Sequence, residues 1–217
     1  MGSDAELIRG LTKSAFPMRD HPNLTPQTAA AIESVFHLYD PPLWLVTSRA
    51  GERRGGLIAN SATRVSIVAE LPRMLVAIAK HHHTWELIES SGRFALHLLP
   101  SAHLDAVWRF GVATGHVTDK LAGLDLGETP DGNPLYPEAA AWLDCRVEAR
   151  LDTGDRTAYL AEILGGRTLT QGPVLTLAGL LRGAPPERRA ELDRLYAKDQ
   201  AIDAAAIQAW RRETRRG

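Results

Sequence analysis

Only one cysteine, Cys145, occurs among the 217 residues. That excludes an intrachain disulfide and any zinc site built from several thiolates of one chain. An excess of charge of one sign is missing as well: 25 Lys and Arg stand against 26 Asp and Glu, for a formal net charge of −1. Neither nucleic acid nor an acidic membrane would be attracted to the molecule as a whole, so neither is expected as a partner. No apolar run reaches the length of a membrane span, and the opening "MGSDAELIRGLTKSAFPMRDHP" lacks the apolar centre of a signal peptide. With so little cysteine, the reducing cytoplasm is the expected location. Internal repeats, a P-loop, a dinucleotide glycine fingerprint and a Ser-His-Asp motif are all absent from the text.

What is present is the balance of a globular chain, 44% hydrophobic and 24% charged, enough to bury a core. The expected organisation is an N-terminal segment over residues 1–40, a main domain over 41–170 and a C-terminal helical extension over 171–217. "PPLWLVTSR" and "GLIANSA", separated by the polar, Gly-containing "AGERRGG", read as a hairpin. "RMLVAIA" (73–79) and "RFALHLL" (93–99), bounded by Pro72, Gly92 and Pro100, read as buried strands. Between them "TWELIESSG" is a short helix, with Glu86 in its first turn and Gly92 just past its end. "SAHLDAVWRFGVATG" has apolar residues at helical spacing, with Ser101 as the expected N-cap. In "WLDCRVEARLD" (142–152), Leu143, Cys145, Val147, Ala149 and Leu151 alternate with charged residues, which predicts a strand with one wet face. "RTAYLAEILGG" follows as its partner after the turn "TGD". From Pro185 the pattern predicts two helices joined near Ala201–Asp203, lying on the main domain or on a second subunit.

The order of these elements is that of a mainly antiparallel barrel with inserted helices, and "GLIANSATRVSIVAELPRMLVAIAKHHHTWELIESSGRFALHLLP" resembles the flavin reductase-like family of FMN-binding split barrels. The likeness continues through Phe110, "DKLAG" (119–123), "GNPL" (132–135), "LDCRV" (143–147) and "TGDRTAYLAEI" (153–163), so it covers roughly residues 40–170. It implies an α+β fold: an antiparallel split β-barrel with short inserted helices, here followed by C-terminal helices. It further implies a homodimer that binds FMN, or FAD, and takes electrons from NAD(P)H as a flavin reductase. The reduced flavin would serve free flavin, oxygen or a partner oxygenase. The rival readings are a flavin-binding electron carrier without turnover, and a relative that has lost flavin.

A flavin ring needs polar groups along its edge, and its phosphate needs fixed N–H groups, hydroxyls and positive charge. Ala59, Asn60, Ser61, Ala62 and Thr63, with Ser66 of the "VS" pair, are the ring contacts implied by the resemblance; turn chemistry is their alternative reading. Lys80, His83 and Thr84, at a helix N-terminus that favours anions, are the phosphate contacts. A solvated charge for Lys80 and simple capping for His83 and Thr84 are the alternatives. His81, His82 and His83 are consecutive, and on an extended segment they would point to opposite sides, so no metal is expected on them. Trp44, Trp85, Trp108 and Phe110 are expected in the core, and Cys145 as an inert buried thiol. Arg156 stands where many flavin reductases carry a histidine beside the nicotinamide face of the flavin. As a permanent cation it cannot shuttle a proton, and it either grips an anionic group of the reductant or caps the strand end, leaving reduction by NADH weak.

Overall fold

The computed structural model describes residues 24–214, and the expectations for residues 1–23 lie outside them. In chain order the elements are α1 (Pro26–Phe36), β1 (Trp44–Ala50), β2 (Arg53–Ala59), β3 (Ala62–Arg64), β4 (Arg73–Ala79), α2 (His83–Ser91) and β5 (Arg93–Leu98). Then come α3 (Leu104–Val107), a π-helical turn (Trp108–Val112), β6 (Gly127–Glu128), β7 (Pro134–Leu135), β8 (Ala141–Asp152), β9 (Arg156–Thr168), α4 (Leu177–Gly183) and α5 (Pro186–Thr214). None of the described helices is long and apolar enough to cross a membrane.

Seven strands form one sheet in the order β2-β1-β5-β8-β9-β4-β3, with every pairing antiparallel. β2 and β3 are the two edges of that sheet, yet only Asn60 and Ser61 separate them in sequence. Three residue steps reach at most about 11 Å, so the sheet must curl until its edges nearly meet. The Ala77 N–H donates to the Ser61 carbonyl at 2.9 Å and pins the crossing. This is the curled, mainly antiparallel architecture with helices that the sequence predicts.

Val46, Leu57, Val76, Ile78, Phe94, Leu96 and Tyr159 fill the inside of the curl. A second core of Leu45, Leu99, Val107, Phe110, Leu121 and Leu175 lies on the other side of β1. β1 is thus buried on both faces: Trp44–Ser48 are all buried, the polar Thr47 and Ser48 included, so burial here does not alternate with the strand period. The hairpin turn is tighter than expected, just Gly51 and Glu52, with Gly51 at φ +59° and β2 beginning at Arg53. α2 ends at Gly92, φ +67°, whose N–H reaches the Ile88 carbonyl. It docks closely because Gly55 has no side chain: a Cβ there would meet His83 at 3.1 Å and Leu87 at 3.2 Å.

Three local expectations are corrected. The helix after Pro100 starts at Leu104 with His103, not Ser101, at its cap, and it widens into the π-helical turn. The alternation along β8 is broken by irregularities at Asp144/Cys145 and Val147/Ala149. Asp144, expected on the wet face, is fully buried. Its carboxylate accepts hydrogen bonds from the Thr129 hydroxyl, the Asn133 amide and the Asp131 N–H at 2.8, 3.0 and 2.8 Å, so it anchors the β6–β7 loop. Finally, the stretch from Pro186 to Thr214 is one helix of 29 residues rather than two. Ala201–Ala206 contains neither Gly nor Pro, and its alanines favour continuation.

Candidate functional site

A cavity of about 260 Å³ opens where the N-terminus of α2, the β2 backbone at Gly56–Ile58, the segment from Phe110 to His116 and one face of α5 converge. α2 begins abruptly because the chain leaves β4 through a turn at Lys80–His82, with the His82 N–H donating to the Ala79 carbonyl at 3.2 Å. His82 is the N-cap, but its side chain makes no capping hydrogen bond to the first turn of the helix. The helix therefore presents its positive end, an anion-attracting feature. Thr84, only 2% exposed, and His83 both line the cavity.

The electrostatics of the cavity are set by burial. His82 is held neutral, its pKa pushed down to about 3 by burial and then by neighbouring His81 and Lys120. His83 is lowered by burial and by the Arg53 guanidinium, whose Nη2 lies 3.2 Å from Nδ1. Lys120, 7% exposed, donates from Nζ to the Phe110 carbonyl at 2.6 Å, and burial brings its pKa down to about 8. Lys120 and Lys198 supply the ammonium groups of the lining.

Of the residues predicted from sequence, the structure gathers His83 and Thr84 at this cavity and distributes the rest. Ala59 ends β2 and is buried, Asn60 and Ser61 cross the split, and Ala62 and Thr63 pair with Val76 and Leu75 of β4. Ser66 forms a local turn, its hydroxyl accepting from the Val68 N–H at 3.2 Å. β2 itself connects the two groups, because it lines the cavity at Gly56–Ile58 and reaches the split at Ala59. Lys80 is directed away from the cavity and pairs with Asp152 at 2.6 Å. Arg156 is taken by two carboxylates, Asp155 at 2.5 Å and Asp203 of α5 at 2.6 Å. Burial opposes its charge, but those carboxylates hold its pKa above the usual arginine value.

Trp44 and Phe110 are in the cores as expected, although Phe110 also forms cavity wall, and Trp85 and Trp108 pack against the cores. Cys145 is fully buried, and burial pushes its thiol pKa far up, in keeping with an inert group. Sequence reasoning assigned no role to Lys120, and gave the C-terminal helices a packing role on the main domain or in a dimer rather than a place at the cavity. The only sign of Lys120 in the sequence is its place in "DKLAG". Nothing local marks Leu195, Lys198, Asp199 and Ile202 as cavity residues.

Residues 36–179 match the model of the flavin reductase like domain. A probable flavin reductase of Rhizobium meliloti is 30% identical over 154 residues, covering 70% of this chain and 47% of that protein. The reductase subunit HsaB of a flavin-dependent monooxygenase of Mycobacterium tuberculosis is 35% identical over 125 residues, covering 55% of this chain and 64% of that protein. The chain thus spans about half the length of the first of these relatives and under two thirds of the second. Among solved structures, the NADH:FAD oxidoreductase SgcE6 of Streptomyces globisporus superposes with a TM-score of 0.63 at 22% identity, covering 74% of this chain and 95% of that one. An FMN-binding protein of Thermus thermophilus gives 0.59 at 22% identity, covering 70% and 80%. These likenesses establish the split-barrel fold, and with the match over residues 36–179 the chain belongs to the flavin reductase-like domain family.

Proposed function

We propose that this chain binds FMN and acts as an NAD(P)H-dependent flavin reductase, delivering reduced flavin to a free flavin pool, to oxygen or to a partner oxygenase. The observation that carries the reading is the N-terminus of α2, opening on a lysine-bearing cavity within the segment that matches the family. The relative named as a reductase subunit of a monooxygenase favours an oxygenase as the acceptor. The residues present fit a flavin nucleotide. The first N–H groups of α2, the Thr84 hydroxyl and Lys120 suit the phosphate, with Lys120 taking the role expected of Lys80, whose ammonium is already paired with Asp152. Residues 59–63, reached along β2, with Ser66, offer small and polar groups to the ring.

Bound flavin supplies the two-electron chemistry. The protein's part is to fix the phosphate, hold the ring edge against backbone and exclude water beneath α5. Absorbance of the purified protein before and after adding FMN, followed by NADH and NADPH oxidation assays, tests the reading. A flavin spectrum with nucleotide-dependent bleaching is expected; failure to retain FMN would sink it.

One observation favours the rival reading of a flavin binder with little turnover. Arg156 is neutralised by Asp155 and Asp203 and so is not free to grip a nicotinamide nucleotide. Stopped-flow reduction separates the two: fast bleaching by either nucleotide, undiminished in Arg156→Ala, supports the reductase and leaves Arg156 a structural role.

Dimerisation belongs to the same proposal. Across β4, β9 and β8, Leu75, Leu160 and Ala149 stand in register, and Ala77, Ala158 and Leu151 form the adjacent row. Leu151 is 59% exposed, and the loop before β4 adds Ile67 at 96% and Leu71 at 67%. An apolar sheet face of this kind suits a second copy.

A further inference from the structure

We propose that His81, His82 and Asp199 form a binding site for a divalent first-row transition-metal ion, with Asp203 orienting His81, and that the ion clamps α5 to the histidine turn. This inference does not depend on flavin binding.

The expectation that consecutive histidines must diverge holds for extended backbone. Here Lys80–His82 is a turn, and it brings the rings of His81 and His82 to a centroid separation of 4.2 Å. α5 supplies the third group. Ligand atoms of His81, His82 and Asp199 all lie within 4.8 Å of one another, and His81 Nε2 is 3.5 Å from Asp199 Oδ1. Metal–nitrogen and metal–oxygen bonds of about 2.0–2.2 Å place neighbouring tetrahedral ligands about 3.3–3.6 Å apart. The pair therefore stands at coordination spacing rather than at hydrogen-bond length.

The second, independent observation is what these groups lack. Both ring nitrogens of His81 are buried without a hydrogen-bond partner among the described residues, and so is Oδ1 of Asp203. His81 Nδ1 is 3.6 Å from Asp203 Oδ1, while the other oxygen of Asp203 accepts from Arg156 Nη2 at 2.6 Å. That is the layout of a metal-bound histidine whose far nitrogen is directed at a carboxylate, which fixes tautomer and ring orientation. It also gives Arg156 a purpose, holding Asp203 in place. Arg156, Lys120 and His116 lie near enough to His82 to oppose a cation, but Asp155, Asp199 and Asp203 face the same junction.

Two imidazoles and one carboxylate form a donor set suited to zinc or ferrous iron rather than to magnesium or calcium. All three residues line the cavity, so the remaining coordination position would face it. A second group of possible ligands, His83, Glu86 and His116, is a poorer candidate. Arg53 already occupies it, with Nη2 at 2.6 Å from Glu86 and 3.2 Å from His83.

The test is Co²⁺ titration of the full chain after treatment with a chelator, read by visible d–d absorption, with Zn²⁺ as competitor. Expected is a single equivalent per chain giving an intense band of low coordination number, displaced by Zn²⁺. The band should be lost in Asp199→Ala and in His81→Ala, and retained in His116→Ala. Asp203→Ala should weaken binding by about 10- to 100-fold; unchanged affinity there would remove Asp203 from the proposal. No band in the wild-type chain, a band that persists in Asp199→Ala, or one abolished by His116→Ala would overturn the site. Because Asp199 is a half-buried helix-surface residue with no role in either core, Asp199→Asn provides a near-isosteric second variant, expected to bind Co²⁺ more weakly than wild type and to keep the wild-type circular dichroism.

Discussion

Two buried titratable side chains connect this molecule to pH in opposite ways. Lys120 is a cation whose charge burial disfavours, so in the free protein it is protonated below about pH 8 and neutral above. If it holds an anionic phosphate, FMN affinity falls as pH rises through that value. Lys120→Met should lower affinity about tenfold or more below it, since a charge-assisted bond contributes roughly 1.5–3 kcal/mol, and should abolish the pH dependence; FMN fluorescence titration checks both. His97 lies in the core, with Nδ1 3.1 Å from the Leu45 carbonyl and Nε2 accepting the Tyr136 N–H at 3.2 Å. The two contacts fix the neutral ring, since a proton on Nε2 would face a donor. Its pKa is lowered to about 4 by burial, against a model-compound value of 6.5. The folded state thus binds fewer protons than the unfolded state in this window. Stability is therefore fully present above pH 6.5 and is lost as pH falls toward 4, by about 3 kcal/mol. Urea melts across this range should show that slope, and His97→Gln, though less stable overall, should flatten it.

At the scale of elements, α5 is the decisive one. It buries no residue fully; Leu192 packs against the second core, and the helix's remaining hold is polar contacts and one close backbone approach. Gly154, in the β8–β9 turn at φ +96°, packs against it so tightly that a Cβ would lie 2.7 Å from Trp210 Cβ. Gly154→Ala should therefore do more than strain the turn by about 1–3 kcal/mol. It should push α5 off the cavity, which would appear as a red shift of tryptophan emission and faster proteolysis within residues 186–214. Unaltered emission and proteolysis would mean that the ion pairs and the packing of Leu192 hold α5 without the close approach at Gly154. α2 is the contrasting case: Gly92 ends it and Leu87 and Ile88 bury its face, so its docking is not in question.

For the whole molecule, the apolar outer face of β4, β9 and β8 is the feature that solvent does not explain. A charge there would leave both cores untouched. Leu75→Asp combined with Leu151→Asp should convert a dimer to a monomer in sedimentation or light scattering, with the far-UV circular dichroism retained. A wild-type chain that sediments as a monomer refutes the dimer outright.

The sequence by itself determined those parts of the protein whose signals are local. The apolar runs bounded by Pro72, Gly92 and Pro100 became β4 and β5, Gly92 ended α2, and "TGD" joined the two long strands. The ordered motifs between residues 40 and 170 pointed to the same family that the match over 36–179 establishes. These signals were legible because backbone geometry and alternation act within a few residues. Tertiary structure decided the rest. Asp144 reads as a wet-face residue until three donors from a loop close over it. The curl that joins the edges of the sheet follows from strand order, which alternation alone does not encode. Lys120, His83 and the α5 face share a cavity, and His81 meets Asp199, only because the chain folds back over α2. A pattern of period two or 3.6 reports which face of an element is dry. It carries no information about which distant element will cover that face, because that choice is made by packing and by the pairing of buried polar groups in three dimensions.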